Sequence, residues 1–317
     1  MCKLQTIARA TLLGALFATL PLAGQEAVPA PAPLRLAFST GVIGEINHND
    51  AKASIIAWGK ALLSQRAVMV TEVQPSVFER TEELFRDVQK GQIDGAAVMT
   101  DEFLARPTGL APETLYLSLK NGKATVQYVL LVHQGSGISN LAGLKGRNLE
   151  LHKSASTSLA APWLDTCLAD QGLGLPETVF RKIDRAEKVS RVVLRVFFRQ
   201  ADSCIVTRDA FETMGELNPQ LRKELRVLAT SPEVVASVFF LRPGFTGKVR
   251  QELETAISIL HETVAGRQAL TVFQGEKLEK APLSALKSAE DLLAAAARLR
   301  SAPPKPLADK TLSGPVH

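Results

Sequence analysis

The chain has 317 residues, of which 46% are hydrophobic, and a formal net charge of +5. This length suits two domains of ordinary size. Only 5% of the residues are aromatic, and the lysines and arginines do not cluster with them, so no nucleic acid is expected as a partner.

The N-terminal residues have the pattern of an export signal. Lys3 and Arg9 precede an apolar run from Thr11 to Leu22, which is too short to span a bilayer as a helix. We therefore predict a signal peptide over residues 1–24 and a periplasmic location. A retained N-terminal anchor is the alternative interpretation of the same pattern.

The predicted cleavage point lies near Gly24 or Ala27. Gln25 rather than a cysteine follows the small residues there, so we do not expect a lipoprotein. Residues 25–33 are rich in proline and alanine and are predicted to form an extended linker. Residues 301–317 begin with several prolines and are predicted to be a disordered tail.

Two cysteines, Cys167 and Cys204, lie beyond the predicted signal peptide. An even number of cysteines in an oxidising compartment is compatible with one disulfide bond. Cysteine is also often buried as a free thiol, so the sequence leaves both interpretations open.

Strand-like and helix-like segments alternate along the chain. Alternating apolar residues predict strands, and apolar residues at helical spacing predict the helices between them. This order predicts an α/β protein. The predicted strands are Leu34–Ser39, Ala67–Val73, Ile93–Met99, Ala124–Val132, Leu149–Leu151 and Val234–Leu241, and the clearest predicted helices are Glu82–Lys90, Lys248–Val264 and Ser284–Arg300.

Two β-rich segments, Ala124–Val132 and Val234–Leu241, are long enough to cross between two lobes. The chain would then leave the first lobe, build the second and return. We predict a first lobe from residues 34–125 and 235–300, a second lobe from residues 126–234, and a ligand cleft between them.

A short sequence pattern occurs twice and supports the two lobes. Gln92–Val98 (QIDGAAV) aligns with Gln200–Val206 (QADSCIV), and each copy turns through an aspartate into a buried strand. The repeat predicts a common topology, with each lobe a mixed sheet flanked by helices. Asp94 and Asp202 open their strands at the end away from the cleft, so we interpret them as turn residues that accept backbone N–H bonds.

The segment Ser154-Ala155-Ser156-Thr157-Ser158 follows one predicted strand and precedes a predicted helix. A helix N-terminus leaves backbone N–H groups unpaired and carries partial positive charge, and hydroxyl groups add further donors. In open α/β sheets, ligands bind at the carboxyl ends of strands. The segment therefore predicts a site for a tetrahedral oxyanion, with an ordinary Ser/Thr helix cap as the alternative.

Four longer segments carry a family resemblance: Asn49–Leu63, Val88–Leu104, Leu141–Ser158 and Phe197–Gln220. Together they resemble the phosphate, phosphite and phosphonate family of periplasmic substrate-binding proteins of ABC transporters, which have the type II bilobed fold. The resemblance implies capture of a small oxyanion without a cofactor. In that family the Ser-Thr-Ser turn holds the phosphorus oxyanion, which implies this role for Ser156, Thr157 and Ser158.

Other candidate ligand contacts lie at strand ends that face the predicted cleft. Ser39 and Thr40 follow the first strand of the first lobe. Thr100 and Thr207 end the two repeated strands and are expected to face the cleft from opposite lobes.

Tyr116 and His152 complete the set of candidate residues. Family members that bind organophosphonates often contribute tyrosines from the first lobe, and this chain has only Tyr116 and Tyr128. Tyr116 lies near the first crossing, and His152 directly precedes the hydroxyl-rich turn, where it can donate to an anion. The scarcity of tyrosine leaves phosphate, phosphite and phosphonates open as ligands.

Enzyme chemistry is disfavoured by the sequence. There is no Gly-x-Ser-x-Gly motif, and the histidines are scattered, so neither catalytic residues nor a metal site are predicted. The expected partners are the permease subunits of an ABC importer, with a membrane sensor kinase as the alternative, and the protein is expected to be a monomer. Neighbouring permease genes would favour uptake, whereas kinase genes would favour sensing.

Overall fold

The computed structural model describes residues 32–44, 48–64, 70–272 and 275–302. The predicted signal peptide and nearly all of the predicted linker and tail lie outside the described residues. Among the residues that the structure does describe, no helix combines the length and the apolar character needed to cross a membrane.

Strands and helices alternate through the described residues, as the sequence predicts. The strands are β1 (Ala32–Ser39), β2 (Val70–Phe78), β3 (Gly95–Met99), β4 (Leu115–Leu119), β5 (Tyr128–His133), β6 (Asn148–His152), β7 (Lys182–Ala186), β8 (Ser203–Thr207), β9 (Leu225–Thr230), β10 (Ser237–Leu241) and β11 (Lys277–Ala281). The helices are α1 (Thr40–Ile43), α2 (His48–Leu63), α3 (Thr81–Gln89), α4 (Thr100–Leu104), α5 (Ala160–Ala169), α6 (Pro176–Val179), α7 (Val189–Phe197), α8 (Arg208–Leu217), α9 (Pro219–Glu224), α10 (Lys248–Ile259), α11 (Val264–Val272) and α12 (Lys287–Ser301).

Two mixed sheets form the cores of two lobes. The first lobe has the strand order β11-β4-β10-β3-β1-β2, and the second has the order β7-β6-β8-β5-β9. In the first sheet, β3 runs parallel to β1 and antiparallel to β10. In the second sheet, β8 runs parallel to β6 and antiparallel to β5. The two copies of the repeated pattern therefore form equivalent central strands, which confirms the predicted two-lobed α/β fold.

The two repeated aspartates have the same structural role in both lobes. Asp94 Oδ2 accepts a hydrogen bond from the backbone N of Arg35 on β1 at 3.0 Å. Asp202 Oδ2 accepts one from the backbone N of Asn148 on β6 at 2.8 Å. Both carboxylates thus accept a backbone hydrogen bond from a neighbouring strand, as predicted for turn residues.

Residues 120–127 and 231–236 connect the two sheets. Within these crossing segments, Val126 N donates to Val234 O at 2.8 Å, and Val234 N donates to Val126 O at 2.9 Å. The two connections are therefore paired with each other where the chain passes between the lobes.

The second strand extends beyond Ala67–Val73, the segment that alternation predicts, of which residues 67–69 lie outside the described residues. Its observed span, Val70–Phe78, includes Pro75. Proline removes a ladder donor and is tolerated mainly on edge strands, and β2 is the edge of its sheet.

The C-terminal helix contacts elements of both lobes. Helix α12 follows β11 of the first sheet but packs along α5 of the second lobe, where Ala289 and Leu292 join the core cluster. Near its end, Arg300 donates to the buried carboxylate of Asp165 at 2.5 and 2.7 Å. Helical periodicity shows that a segment has an apolar face, but it does not show which lobe that face covers.

The two cysteines lie on opposite faces of the second sheet. Cys204 on β8 is buried in the cluster that contains Val129 and Val206, whereas Cys167 on α5 packs against the cluster that contains Leu130. Both are free thiols, because the sheet separates them, and the disulfide interpretation does not hold. Burial raises the pKa of the Cys167 thiol to about 11.

Candidate functional site

A cavity of about 760 Å³ lies between the two lobes. The first lobe contributes the end of α1 and the start of β10, and the first crossing segment contributes several residues between 120 and 127. The second lobe contributes the turn 153–156 after β6 and the start of α8. The cavity therefore lies at the carboxyl ends of parallel strands of both sheets, where the fold places ligands.

The hydroxyl-rich turn faces this cavity through its first half. A single 3₁₀ turn, Ala155–Thr157, links β6 to α5. Ser154 and Ser156 line the cavity, and their Oγ atoms lie 3.0 Å apart. The turn places two hydroxyl groups side by side on the cavity wall, directly before the N-terminus of α5.

The second half of the turn is structural. Thr157 Oγ1 donates to the carbonyl oxygen of His152 at 2.7 Å and accepts from the backbone N of Ser154 at 3.0 Å. The Ser158 Oγ is buried and has no hydrogen-bond partner. Helix α5 begins at Ala160, so Ser158 is not its N-cap; Ser154 caps the 3₁₀ turn instead.

Replacing Thr157 with valine is expected to lower the free energy of unfolding by about 1 kcal/mol, as for loss of a helix cap. Valine keeps the shape of the side chain but removes the hydroxyl that joins His152 to Ser154. Thr157→Ser, which keeps the hydroxyl, is the matched control and should stay close to the wild type. Urea unfolding followed by circular dichroism measures the free energy of unfolding of both variants. If the valine and serine variants lose the same amount, the Thr157 hydroxyl does not stabilise the turn.

Thr207 lines the cavity from the end of β8. Its Oγ1 accepts a hydrogen bond from the backbone N of Ala210 at 3.3 Å and so caps α8. The next residue, Arg208, donates from its backbone N to Gln127 O at 2.7 Å and from Nε to Gln127 Oε1 at 2.5 Å. These contacts attach the start of α8 to the first crossing segment.

Charged side chains on the cavity wall occur in pairs. Among the residues that the structure describes, each of the four lysine and arginine side chains that line the cavity lies within 4.0 Å of a lining carboxylate. The pairs are Lys120–Asp209 at 2.9 Å, Lys123–Glu233 at 3.5 Å, Lys153–Glu187 at 3.8 Å and Arg208–Glu212 at 3.9 Å. The charges of these side chains are thus largely balanced before any ligand binds.

One of these pairs joins the lobes across the cavity. Lys120 Nζ and Asn121 Nδ2, just after β4, donate to Asp209 on α8 at 2.9 and 3.0 Å. Asn121 and Gly122 both have positive φ, as a tight Asn-Gly turn requires, and Asn121 N donates to Glu276 at 3.0 Å. The turn is therefore held on the first lobe while it contacts the second. The Asn-Gly dipeptide signals such a turn in the sequence, but its partner on α8 is not apparent there.

Several predicted ligand contacts within the first lobe lie behind the cavity wall. Ser39 is buried, and its Oγ donates to Glu102 Oε2 at 2.6 Å. Burial raises the pKa of the Glu102 carboxyl, which also accepts from the backbone N of Met99 at 2.8 Å. Thr40 begins α1, and Thr100 is fully buried with its backbone N bonded to Ala236 O.

Tyr116 and His152 also lie away from the cavity wall. The Tyr116 ring is buried in the first-lobe core beside Phe239, with the ring centroids 5.8 Å apart, and burial raises the pKa of its hydroxyl. His152 Nε2 donates to the carbonyl oxygen of Glu187 at 2.9 Å, and burial lowers the pKa of the imidazole. The expectation that Tyr116 reaches the cleft is therefore corrected, since its strand turns the side chain toward the helices that cover the sheet.

Metal chemistry receives no support from the described residues. Within them, no group of three or more histidine, cysteine, aspartate or glutamate side chains is arranged to hold a metal ion. The cavity instead presents hydroxyl groups, amides and paired charges, which suit the binding of a polar ligand.

Solved structures share the fold of this chain. XAC2383 from Xanthomonas citri, bound to chloride ion, has a TM-score of 0.61 at 15% identity and covers 84% of this chain and 98% of its own. PhnD1 from Prochlorococcus marinus, in complex with methylphosphonate, has a TM-score of 0.56 at 16% identity. The match covers 82% of this chain and 96% of PhnD1. PA3383 from Pseudomonas aeruginosa, a binding protein component of an ABC phosphonate transporter, has a TM-score of 0.56 at 14% identity. The match covers 86% of this chain and 88% of PA3383. The protein thus has the type II periplasmic-binding fold.

The sequence also matches a family profile over residues 63–286, described as the periplasmic substrate-binding protein of a phosphonate ABC transporter. The chain belongs to this family of binding proteins, whose members are not enzymes. No curated protein matches the chain by sequence.

Proposed function

We propose that this protein captures a small phosphorus oxyanion, phosphate, phosphite or a phosphonate, and delivers it to an ABC importer. Binding would take place in the periplasm, after removal of the predicted signal peptide. The observation that carries the proposal is the pair of adjacent hydroxyl groups, Ser154 and Ser156, on the wall of the cavity between the lobes.

The chemistry of the turn suits an anion that is bound by dipoles rather than by a free cation. A hydrogen bond to a charged group contributes about 1.5–3 kcal/mol, roughly twice a neutral one. Ser154 and Ser156 supply two hydroxyl groups that can donate to a ligand once their mutual hydrogen bond opens, and Thr207 adds a hydroxyl from the neighbouring strand end of the same lobe. The α5 dipole, which begins just behind the turn, favours negative charge at this position.

Lobe closure is the second part of the proposal. The crossing segments near Thr125–Val129 and Val234–Val238 are the expected hinges, because within the described ranges the chain passes between the sheets only there and along α12. A ligand that contacts both walls would favour the closed arrangement. Asp209, held by Lys120 and Asn121 across the cavity, would then help to keep the lobes together.

Isothermal titration calorimetry with phosphate, phosphite, methylphosphonate and 2-aminoethylphosphonate tests the proposal. At least one of these anions is expected to bind with the affinity of a transport protein, and sulfate serves as the matched tetrahedral control without phosphorus. Absence of heat with all four phosphorus ligands at millimolar concentration would refute a phosphorus oxyanion as the ligand.

A further inference from the structure

We propose that α12 is a strap that moves with the second lobe when the lobes close, with a further hinge at residues 286–289. This inference rests on the lobe closure of the proposed function and concerns which parts of the molecule move together. It is carried by the way the two ends of the C-terminal segment are anchored in different lobes.

The segment before α12 is fixed in the first lobe. Strand β11 pairs with β4 at the edge of the first sheet, and the 3₁₀ turn Leu283–Leu286 comes shortly after it. Leu286 is buried in the first-lobe cluster that contains Leu84 and Phe240. Up to Leu286, the chain is therefore part of the body of the first lobe.

From Ala289 onward, α12 buries its apolar face in the second lobe. Ala289 and Leu292 lie in the cluster that contains Trp163 and Leu168 of α5, and Leu293 packs against that cluster. Protein interiors are close-packed, so a helix that leaves such a cluster loses contacts outright. The change from one lobe to the other thus takes place over the first residues of α12.

An ion pair attaches the far end of α12 to the second lobe. Arg300 donates from Nε and Nη2 to the two carboxylate oxygens of Asp165 on α5 at 2.5 and 2.7 Å. Both Nη atoms also donate to Glu177 on α6 at 3.1 Å. Asp165 is only 2% exposed, and a buried carboxylate that loses its cation is left uncompensated. The strap is therefore held at both ends of its contact with α5.

The contact of α12 with the first lobe is of a different kind. Helix α12 touches α4, and the charge of Glu290 reaches Arg106, just after α4, where it opposes the lowering of the Arg106 pKa by burial. The energy of two charges changes gradually with their distance, whereas packed side chains and a bidentate pair require fixed geometry. During closure, α12 should therefore keep its contact with α5 and slide past α4.

This arrangement joins the strap to the ligand turn. Helix α5 follows the hydroxyl-rich turn directly, so the turn, α5 and α12 would rotate as one body relative to the first sheet. The bending point would lie where the 3₁₀ turn passes into α12, since 3₁₀ segments have weaker hydrogen bonds than α-helices and often mark hinges.

Double electron–electron resonance between spin labels tests the inference on the exported protein. The labels are placed in pairs at the exposed positions Glu82→Cys on α3, Thr213→Cys on α8 and Ala297→Cys on α12. Cys167→Ala removes the partly exposed native thiol, and the fully buried Cys204 is kept. Distances are measured without ligand and with whichever of phosphate, phosphite, methylphosphonate and 2-aminoethylphosphonate binds most tightly.

The label pairs separate the strap from the closure itself. The distance from Thr213 to Glu82 reports closure and is expected to change with ligand. The distance from Ala297 to Glu82 should change as well, while the distance from Ala297 to Thr213 stays the same. If the distance from Ala297 to Thr213 changes instead, α12 does not move with the second lobe and the inference is wrong, although closure stands. If no anion binds, or the distance from Thr213 to Glu82 is constant, the proposed closure fails and the inference fails with it.

Replacing Arg300 with glutamine tests the attachment of the strap. Arg300→Gln is expected to broaden the distance distribution between the labels at Ala297 and Thr213, because the bidentate contact with Asp165 is lost. Arg298→Gln changes an exposed arginine on the same helix and should leave the distribution unchanged. If both variants give the same width, the ion pair does not hold the strap on the second lobe.

Discussion

Replacing Ser154 and Ser156 together with alanine is expected to weaken binding of the phosphorus ligand by on the order of 100-fold. The variant loses the two hydroxyl groups of the turn that line the cavity, and each hydrogen bond to a charged group contributes about 1.5–3 kcal/mol. The two single variants should each lose about tenfold or more, with some coupling between them, because the hydroxyls lie 3.0 Å apart. Titration calorimetry with the tightest phosphorus ligand measures the affinities.

The matched control for this experiment is Ser258→Ala. Ser258 is an exposed serine on α10, and its Oγ donates to the carbonyl oxygen of Thr255 at 2.7 Å, away from the cavity. Its replacement should leave the affinity unchanged. Thermal unfolding of all variants without ligand distinguishes a lost contact from a damaged fold. If the double variant binds the ligand within twofold of the wild-type affinity, the turn is not part of the binding site.

Replacing Asp94 with alanine is expected to lower the free energy of unfolding by about 3 kcal/mol. The carboxylate is 3% exposed and accepts hydrogen bonds from Arg35 N, Nε and Nη2 at 3.0, 3.0 and 2.8 Å. Arg242 Nη2 lies 3.3 Å from the same carboxylate. Its removal leaves two guanidinium groups and a backbone donor without their acceptor, which is the costly way to break a largely buried ion pair.

The second copy of the repeat offers the matched comparison, Asp202→Ala. Asp202 accepts from the backbone N of Asn148 in the same way, but its side chain is 27% exposed and its contact with Arg147 is longer, at 3.4 Å. We expect a smaller loss of about 1 kcal/mol, since water can replace part of the interaction. Urea unfolding measures both variants. If Asp94→Ala lowers the free energy of unfolding no more than Asp202→Ala does, burial does not determine how much this ion pair contributes to stability.

Local patterns account for the parts of the fold that could be predicted. The predicted helix Glu82–Lys90 follows from helical spacing and corresponds to α3, which buries Leu84 and Val88, and the repeated QIDGAAV and QADSCIV segments identified the two equivalent central strands. Both signals depend on residues that are neighbours in the chain. The prediction for the edge strand β2 ended at Val73 because the polar, proline-containing sequence that follows has little of the alternation that marks a half-buried strand.

The candidate site was predicted in part. The position of the hydroxyl-rich turn follows from the order strand, turn and helix, and Ser156 and Thr207 do line the cavity. Ser39 was expected to face the ligand by its position at a strand end, but its hydroxyl donates to Glu102, which lies 63 residues further along the chain. The cavity residues Lys120 and Asn121 were missed, because their contact with Asp209 joins segments that are distant in sequence.

The sequence by itself determined the two-lobed α/β class, the equivalence of the lobes and the place of the hydroxyl-rich turn, because hydrophobic periodicity and turn chemistry act between near neighbours in the chain. Only the tertiary structure decided which hydroxyls face the cavity, which charges are already paired there, and that α12 returns to cover the second lobe. These features depend on contacts between distant segments, and the free energy of such contacts is set by burial and geometry that no local pattern encodes.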